Sequence, residues 1–152
     1  MEYNSSNFLL ETIVPKEELI VSRTDLKGNI TYVNDTFAHI SGYEPNELIG
    51  KPHNIVRHPD MPRAVFSDLW NELQTKGNWS GYVKNLRKDQ GYYWVYAEIS
   101  EVHKDGKLVE YKSIRSPMSF EKKVEYQVKY DQLKLTSGEL VRHVNYTEYK
   151  KQ

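Results

Sequence analysis

The sequence predicts an α+β domain: a five-stranded antiparallel sheet with helices on one face, an N-terminal arm before it and a C-terminal helix after it. Three observations lead there. Five strand-like runs are present, and Gly-bearing turns join the first to the second, the third to the fourth and the fourth to the fifth. Helix-like segments cluster between the second and third strands instead of alternating with strands, which excludes a parallel doubly wound sheet. The chain of 152 residues holds 12 Tyr, 4 Phe and 3 Trp, enough bulk for one packed core.

Each element follows from local pattern. Residues 1–19 are mixed and broken by Pro15, which predicts an arm or a short helix. Leu19 to Thr24 and Ile30 to Val33 are β-branched runs flanking Asp25-Leu26-Lys27-Gly28-Asn29, a hairpin signal. Asn34-Asp35 offers caps for a helix ending at Gly42, and Pro45 to Leu48 makes a further helical turn. Pro52, Pro59 and Pro62 keep the next stretch irregular. Val65, Leu69 and Leu73, with Phe66 and Trp70 beside them, then mark an amphipathic helix closing near Gly77, with Asp60 as its expected cap.

Trp79 to Leu86, Tyr92 to Val102 and Lys107 to Ser116 are the remaining strands, the last two joined at Asp105-Gly106. Ser119 is placed to cap a polar helix carrying Phe120, Val124 and Val128 on one face, and Gly138 separates it from a tyrosine-bearing tail. The boundaries are therefore 1–19 for the arm, 20–118 for the domain and 119–152 for the helical tail.

Composition narrows function. Lys+Arg and Asp+Glu are 21 each, so no global positive field recruits nucleic acid. No apolar run approaches the ~20 residues that span a bilayer, and Met1-Glu2-Tyr3-Asn4 lacks a signal-peptide pattern, so a cytoplasmic location without direct membrane insertion is expected. Zero cysteines remove disulfides, thiolate metal sites and cysteine nucleophiles. No G-x-S-x-G, H-E-x-x-H or phosphate-loop motif is present, and the reading is a non-enzyme.

Thr24 to Phe37, with its N-x-x-F step at Asn34 to Phe37, followed by Ser41-Gly42-Tyr43 and Glu47-Leu48-Ile49-Gly50, resembles the opening of a PAS domain. The segment Gly50 to Pro62, with Trp79-Ser80-Gly81, Val83-Lys84-Asn85, Tyr93-Trp94-Val95 and Ser113-Ile114-Arg115, is similar to the PAS sensor of bacterial aerotaxis receptors. The resemblance implies a PAS fold holding FAD and reporting redox or energy state to the chemotaxis machinery. One-chain receptors of that kind continue into a membrane anchor, a HAMP domain and a signalling coiled coil. The expectation here is a separate sensor recruited to the inner membrane by a membrane-bound chemoreceptor with HAMP and signalling domains, and a homodimer is possible. The photosensory LOV branch, which forms a flavin–cysteine adduct, is excluded by the missing cysteine.

Candidate site residues come from strand period and from the resemblance together. Period two puts Trp79, Gly81, Val83 and Asn85 on one face; Gly81 permits close ligand approach and Asn85 suits a flavin's amide-like edge. Core packing is the alternative for Trp79, and an ordinary edge-strand carboxamide for Asn85. Tyr111, Ser113 and Arg115 share a face, which directs Arg115 either into the pocket or to a surface ion pair. The resemblance carries Arg57, His58 and Asp60 over as cofactor positions; they precede a helix N-terminus that favours a diphosphate. His58 as a plain loop histidine and Asp60 as a plain cap stay open, and Asn34 is a cap, a pocket residue or both. Tyr92, Trp94 and Tyr96 form an aromatic row on the outer face, read as a partner surface unless the arm or the last helix covers it. A cofactor-free interaction module is the alternative function, and a haem gas sensor a weaker one, since none of His39, His53, His58, His103 and His143 lies within the long helix.

Overall fold

A computed structural model describes residues 10–139. Its strands are β1 (Ile20–Thr24), β2 (Ile30–Val33), β3 (Asn78–Leu86), β4 (Tyr92–Lys104) and β5 (Lys107–Ser116). Its α-helices are α1 (Asp35–Ser41), α2 (Pro45–Leu48), α3 (Arg63–Lys76) and α4 (Phe120–Ser137), with a 3₁₀ turn at His53–Val56. The sheet runs in the order β2-β1-β5-β4-β3, and all its pairings are antiparallel. First and last strands therefore meet centrally, β1 on β5, so residues of both halves share one surface.

Local chemistry sets the turns. Asp25 accepts the backbone N–H groups of Lys27 and Asn29, each at 2.9 Å, which closes the first hairpin. Asp105 and Gly106 both take positive φ, 52° and 78°, the conformation whose twist matches a two-residue hairpin between β4 and β5. Asn34 Oδ1 accepts from Phe37 N at 3.0 Å and Val21 N at 3.1 Å, while its Nδ2 donates to Leu19 O at 2.9 Å. One side chain thus caps α1 and ties it to β1.

The core lies between α1–α3 and one sheet face. Phe37, Leu48, Val56, Leu69, Leu73, Tyr93, Val95 and Ala97 are buried there. The opposite face is also covered. Trp94, 4% exposed, stacks on Tyr130 of α4 with ring centroids 6.2 Å apart, and Tyr82 packs on Tyr126 at 4.2 Å. The Tyr130 hydroxyl donates to the Tyr82 carbonyl. The arm runs parallel to the start of β4: Thr12 N donates to Tyr92 O at 2.8 Å and Tyr92 N to Leu10 O at 3.0 Å. Glu11 of the arm pairs with Lys123 of α4 at 2.6 Å.

These contacts correct one expectation and show which face of α4 packs. The row Tyr92, Trp94 and Tyr96 is not a free partner surface, because the chain's own α4 and arm occupy that face. The face of α4 that packs is Tyr126, Tyr130 and Lys134, not the more apolar Phe120, Val124 and Val128, which are 74%, 49% and 65% exposed. The described arm is not a helix: it bridges to β4 at Glu11 and turns at Pro15–Glu18; residues 1–9 and the tyrosine-bearing tail from residue 140 onward lie outside the described residues. Among the described residues no helix is long and apolar enough to cross a membrane.

Candidate ligand-binding site

A cavity of about 220 Å³ separates α3 from the sheet. Phe66, Leu69, Trp70 and Leu73 of α3 form one wall, and Val83, Ile99 and Tyr111 stand on the sheet side. Trp70 and Tyr111 meet edge to face at the mouth, centroids 5.9 Å apart. The antiparallel register places Ser22 opposite Ser113 and Ile20 opposite Arg115, which gathers Ser22, Ser113 and Arg115 at one polar end.

The donors at that end are not all used. Arg115 is 6% exposed; its Nε donates to Ser113 Oγ at 3.0 Å, but its Nη1 is buried with no hydrogen-bond partner. Asn85, 1% exposed, lines the cavity as well, and its Nδ2 also lacks a partner of standard geometry, although the Tyr93 hydroxyl is its neighbour. Burial lowers the Arg115 pKa and raises that of Tyr93 to about 12. Buried unsatisfied donors are rare because each costs ~1–3 kcal/mol. Two on one cavity describe a place for a ligand that brings acceptors.

His53, from the 3₁₀ turn, completes the polar end. Its Nε2 lies 3.0 Å from Ser22 Oγ and its ring meets Phe37 edge to face at 5.7 Å. Burial first, and then the Arg115 charge, lower its pKa from 6.5 to about 3, so the imidazole is neutral. Sequence reasoning passed over His53 as a residue of a polar, proline-rich loop. Its position directly after Pro52 carries no signal that its ring reaches the cavity.

The expected site residues divide. Arg57, Trp79, Asn85 and Arg115 line the cavity. Arg57 stacks its guanidinium 3.6 Å above the Phe66 ring, and its backbone bridges to Asn85. Asn34 does not line the cavity; its side chain is consumed by the α1 cap. His58 and Asp60 lie outside it too. His58 Nδ1 accepts the Asp60 N–H at 3.0 Å, and its ring faces Tyr92 on the other side of the sheet. Asp60 is not the cap of α3, because Pro62 takes that position. Its carboxylate instead lies 3.9 Å from both Lys84 Nζ and Lys134 Nζ, between the sheet and α4. Gly81 is not open to a ligand: the Trp79 indole fills the place where its Cβ would be, with Trp79 Nε1 donating to Asp68 at 3.3 Å.

Residues 30–115 match the family model described as PAS fold. The chain belongs to the PAS-fold family. This PAS domain is 48% identical over 105 residues to the aerotaxis receptor of Escherichia coli (strain K12), covering 69% of this chain and 21% of that protein. It is 29% identical over 112 residues to a nitrogen fixation regulatory protein of Klebsiella pneumoniae, covering 73% of this chain and 23% of the relative. The chain thus spans about a fifth of the length of these curated relatives. Among solved structures it resembles the light-state Aureochrome1 LOV domain, with TM-score 0.63, 19% identity, and coverage of 71% of this chain and 90% of that one. A PAS domain from Colwellia psychrerythraea matches with TM-score 0.60 at 23% identity over 66% of this chain and 86% of the other. These structural likenesses concern the fold. The two named sequence relatives are a receptor and a regulatory protein.

Proposed function

We propose that this PAS domain binds FAD, with the isoalloxazine ring in the α3–sheet cavity, and reports cellular redox or energy state to a chemotaxis receptor. The observation that carries the reading is the pair of unpartnered buried donors, Asn85 Nδ2 and Arg115 Nη1, at the polar end of an aromatic-walled cavity. A flat heteroaromatic body with carbonyl and ring-nitrogen acceptors satisfies both features. The likeness to an aerotaxis receptor supports a sensory role for such a site. Bound FAD would supply reversible electron transfer.

The chain's own residues set the terms. Asn85 and Arg115 would orient the ring's acceptors, and the permanent Arg115 charge would favour extra electron density beside it. Neutral His53 would leave that cation uncontested. The cavity volume falls below the ~300 Å³ at which small-molecule pockets begin, so binding requires the Trp79 indole to swing off Gly81.

β3 is the natural conductor of a signal. Its Asn85 faces the cavity, while Tyr82 and Lys84 on the other face hold α4, through Tyr126 and through Gln127 at 3.4 Å. A change in the hydrogen bonds of Asn85 is thus one residue from the seat of α4. It becomes a signal only if the two ligand states prefer different seats. The receiver is proposed to be a membrane-bound chemoreceptor with HAMP and signalling domains, which would hold the sensor at the cytoplasmic side of the inner membrane.

The test is an FAD titration of flavin-free protein, wild type against Asn85→Leu. The reading expects saturable binding to wild type and at least a tenfold loss in the variant. A well-folded wild type that takes up no flavin would return the domain to a cofactor-free interaction module. A Soret band would instead favour the haem sensor.

A further inference from the structure

The N-terminus of α3 is capped from the far end of the chain. Its N-cap, Pro62, supplies no side-chain hydrogen bond. Glu139, one residue past the end cap of α4, supplies it instead: its Oε1 accepts the Arg63 backbone N–H at 3.1 Å and lies 3.4 Å from Arg63 Nε. The Ser137 hydroxyl donates to Glu139 Oε2 at 2.5 Å. The Ser137 hydrogen bond, then the Arg63 N–H, hold the Glu139 carboxyl below the usual carboxylate range.

This carboxylate stands in an open depression of about 650 Å³ whose lining also includes Arg57, His58, Arg63 and Lys134. Asn54 and Arg57 belong to both the depression and the cavity, so Arg57 is their common wall. The Glu139 charge reaches Arg57 as well, opposing the effect of burial on its guanidinium. A cation-rich hollow adjoining the cavity is therefore occupied, at its helix terminus, by an anion of the chain itself.

We propose that Glu139 is a displaceable internal anion: the phosphate groups of a nucleotide ligand seated in the cavity replace its carboxylate at Arg63 and so release the C-terminal end of α4. The inference rests on the flavin-nucleotide reading above. A carboxylate and a phosphate make the same charge-assisted bonds to a helix-terminal N–H and a guanidinium, and a diphosphate brings more charge and more acceptors. The two cannot share the Arg63 N–H, and like charges in one hollow repel. Ligand affinity then includes the work of displacing Glu139, and by linkage the ligand loosens α4 by the same factor. Glu139 thereby distinguishes ligands by their phosphates, and converts occupancy of the site into release of the C-terminal end of α4.

The experiment compares riboflavin, FMN and FAD on flavin-free wild type and Glu139→Gln, by fluorescence titration. Glutamine keeps an acceptor for the Arg63 N–H, so the cap survives without the charge. The expected result is an affinity for FAD raised about tenfold in the variant with riboflavin unchanged. In wild type, the Arg63 and Glu139 amide resonances should shift with FAD and stay in place with riboflavin. Equal changes for all three flavins, or an Arg63 amide indifferent to FAD, would overturn the proposal and leave flavin binding intact. Failure of every form to bind any flavin would remove the flavin reading, and this inference with it.

Discussion

Replacing Arg115 by methionine should stabilise the ligand-free chain while removing its affinity for flavin. Arg115 is 6% exposed, donates one hydrogen bond to Ser113, and leaves Nη1 without a partner. The neighbour that offsets the effect of its burial is the Tyr93 phenol, not a carboxylate. Methionine fills comparable volume with no polar atom. Removing an unsatisfied buried donor gains ~1–3 kcal/mol, and losing the Ser113 bond costs ~1 kcal/mol. Exchange of a buried, poorly compensated charge for a well-packed apolar group is often stabilising by a similar amount. The net expectation is about 1–2 kcal/mol of added stability, or roughly 2–4 °C in Tm per kcal/mol for a chain of this size. Urea and thermal melts of flavin-free wild type and Arg115→Met read the first half, and a flavin titration reads the second. A variant that melts earlier and still binds flavin would refute the reasoning, because Arg115 would then be a structural residue.

His53 gives the chain a pH dependence. Its folded-state pKa of about 3 lies below the ordinary 6.5, so between those values the unfolded chain takes up a proton that the folded chain does not. Its contribution is level above pH 6.5 and falls as pH drops toward 3, by up to ~1.4 kcal/mol per unit. Urea melts across that range should show the slope in wild type and a shallower one in His53→Phe; parallel slopes would contradict a neutral, half-buried imidazole. Gly81→Ala places a methyl group inside the Trp79 indole, at an expected cost of ~1–3 kcal/mol with tryptophan emission moving to the red; an unchanged spectrum and melt would deny the overlap. Trp94→Ala should cost ~3–5 kcal/mol by unseating α4, and Tyr130→Phe ~1 kcal/mol, both read by urea melts; a loss below 1 kcal/mol for Trp94→Ala would mean that α4 is not docked.

The sheet was legible because its turns and its alternation are written locally. Asp25 to Asn29 and Asp105-Gly106 mark their own hairpins, and period two sets Trp79, Val83 and Asn85 on the inner face. Arg115 follows from the same rule applied to β5, once the neighbouring Tyr111 and Ser113 face inward. What failed was whatever depends on an element far away in sequence. Asp60 looks like a cap beside α3, but Pro59 and Pro62 delay the helix, and its carboxylate turns to Lys84 and Lys134. The cap comes from Glu139 instead, which no local pattern announces. The packed face of α4 is not announced by its sequence, since Phe120, Val124 and Val128 form the more hydrophobic stripe and stay exposed. The flat aromatic face built by Tyr82 and Trp94 selects tyrosine rings, with the buried Lys134 meeting Asp60. Period two also placed Gly81 beside Trp79 without revealing that the indole folds back over it.

The most direct test of the central claim is the visible absorption spectrum of the purified chain, with chromatography of what heat releases. The account predicts flavin bands that bleach on chemical reduction and return in air, with FAD as the released compound. A folded, colourless protein that also takes up no added FAD would contradict it.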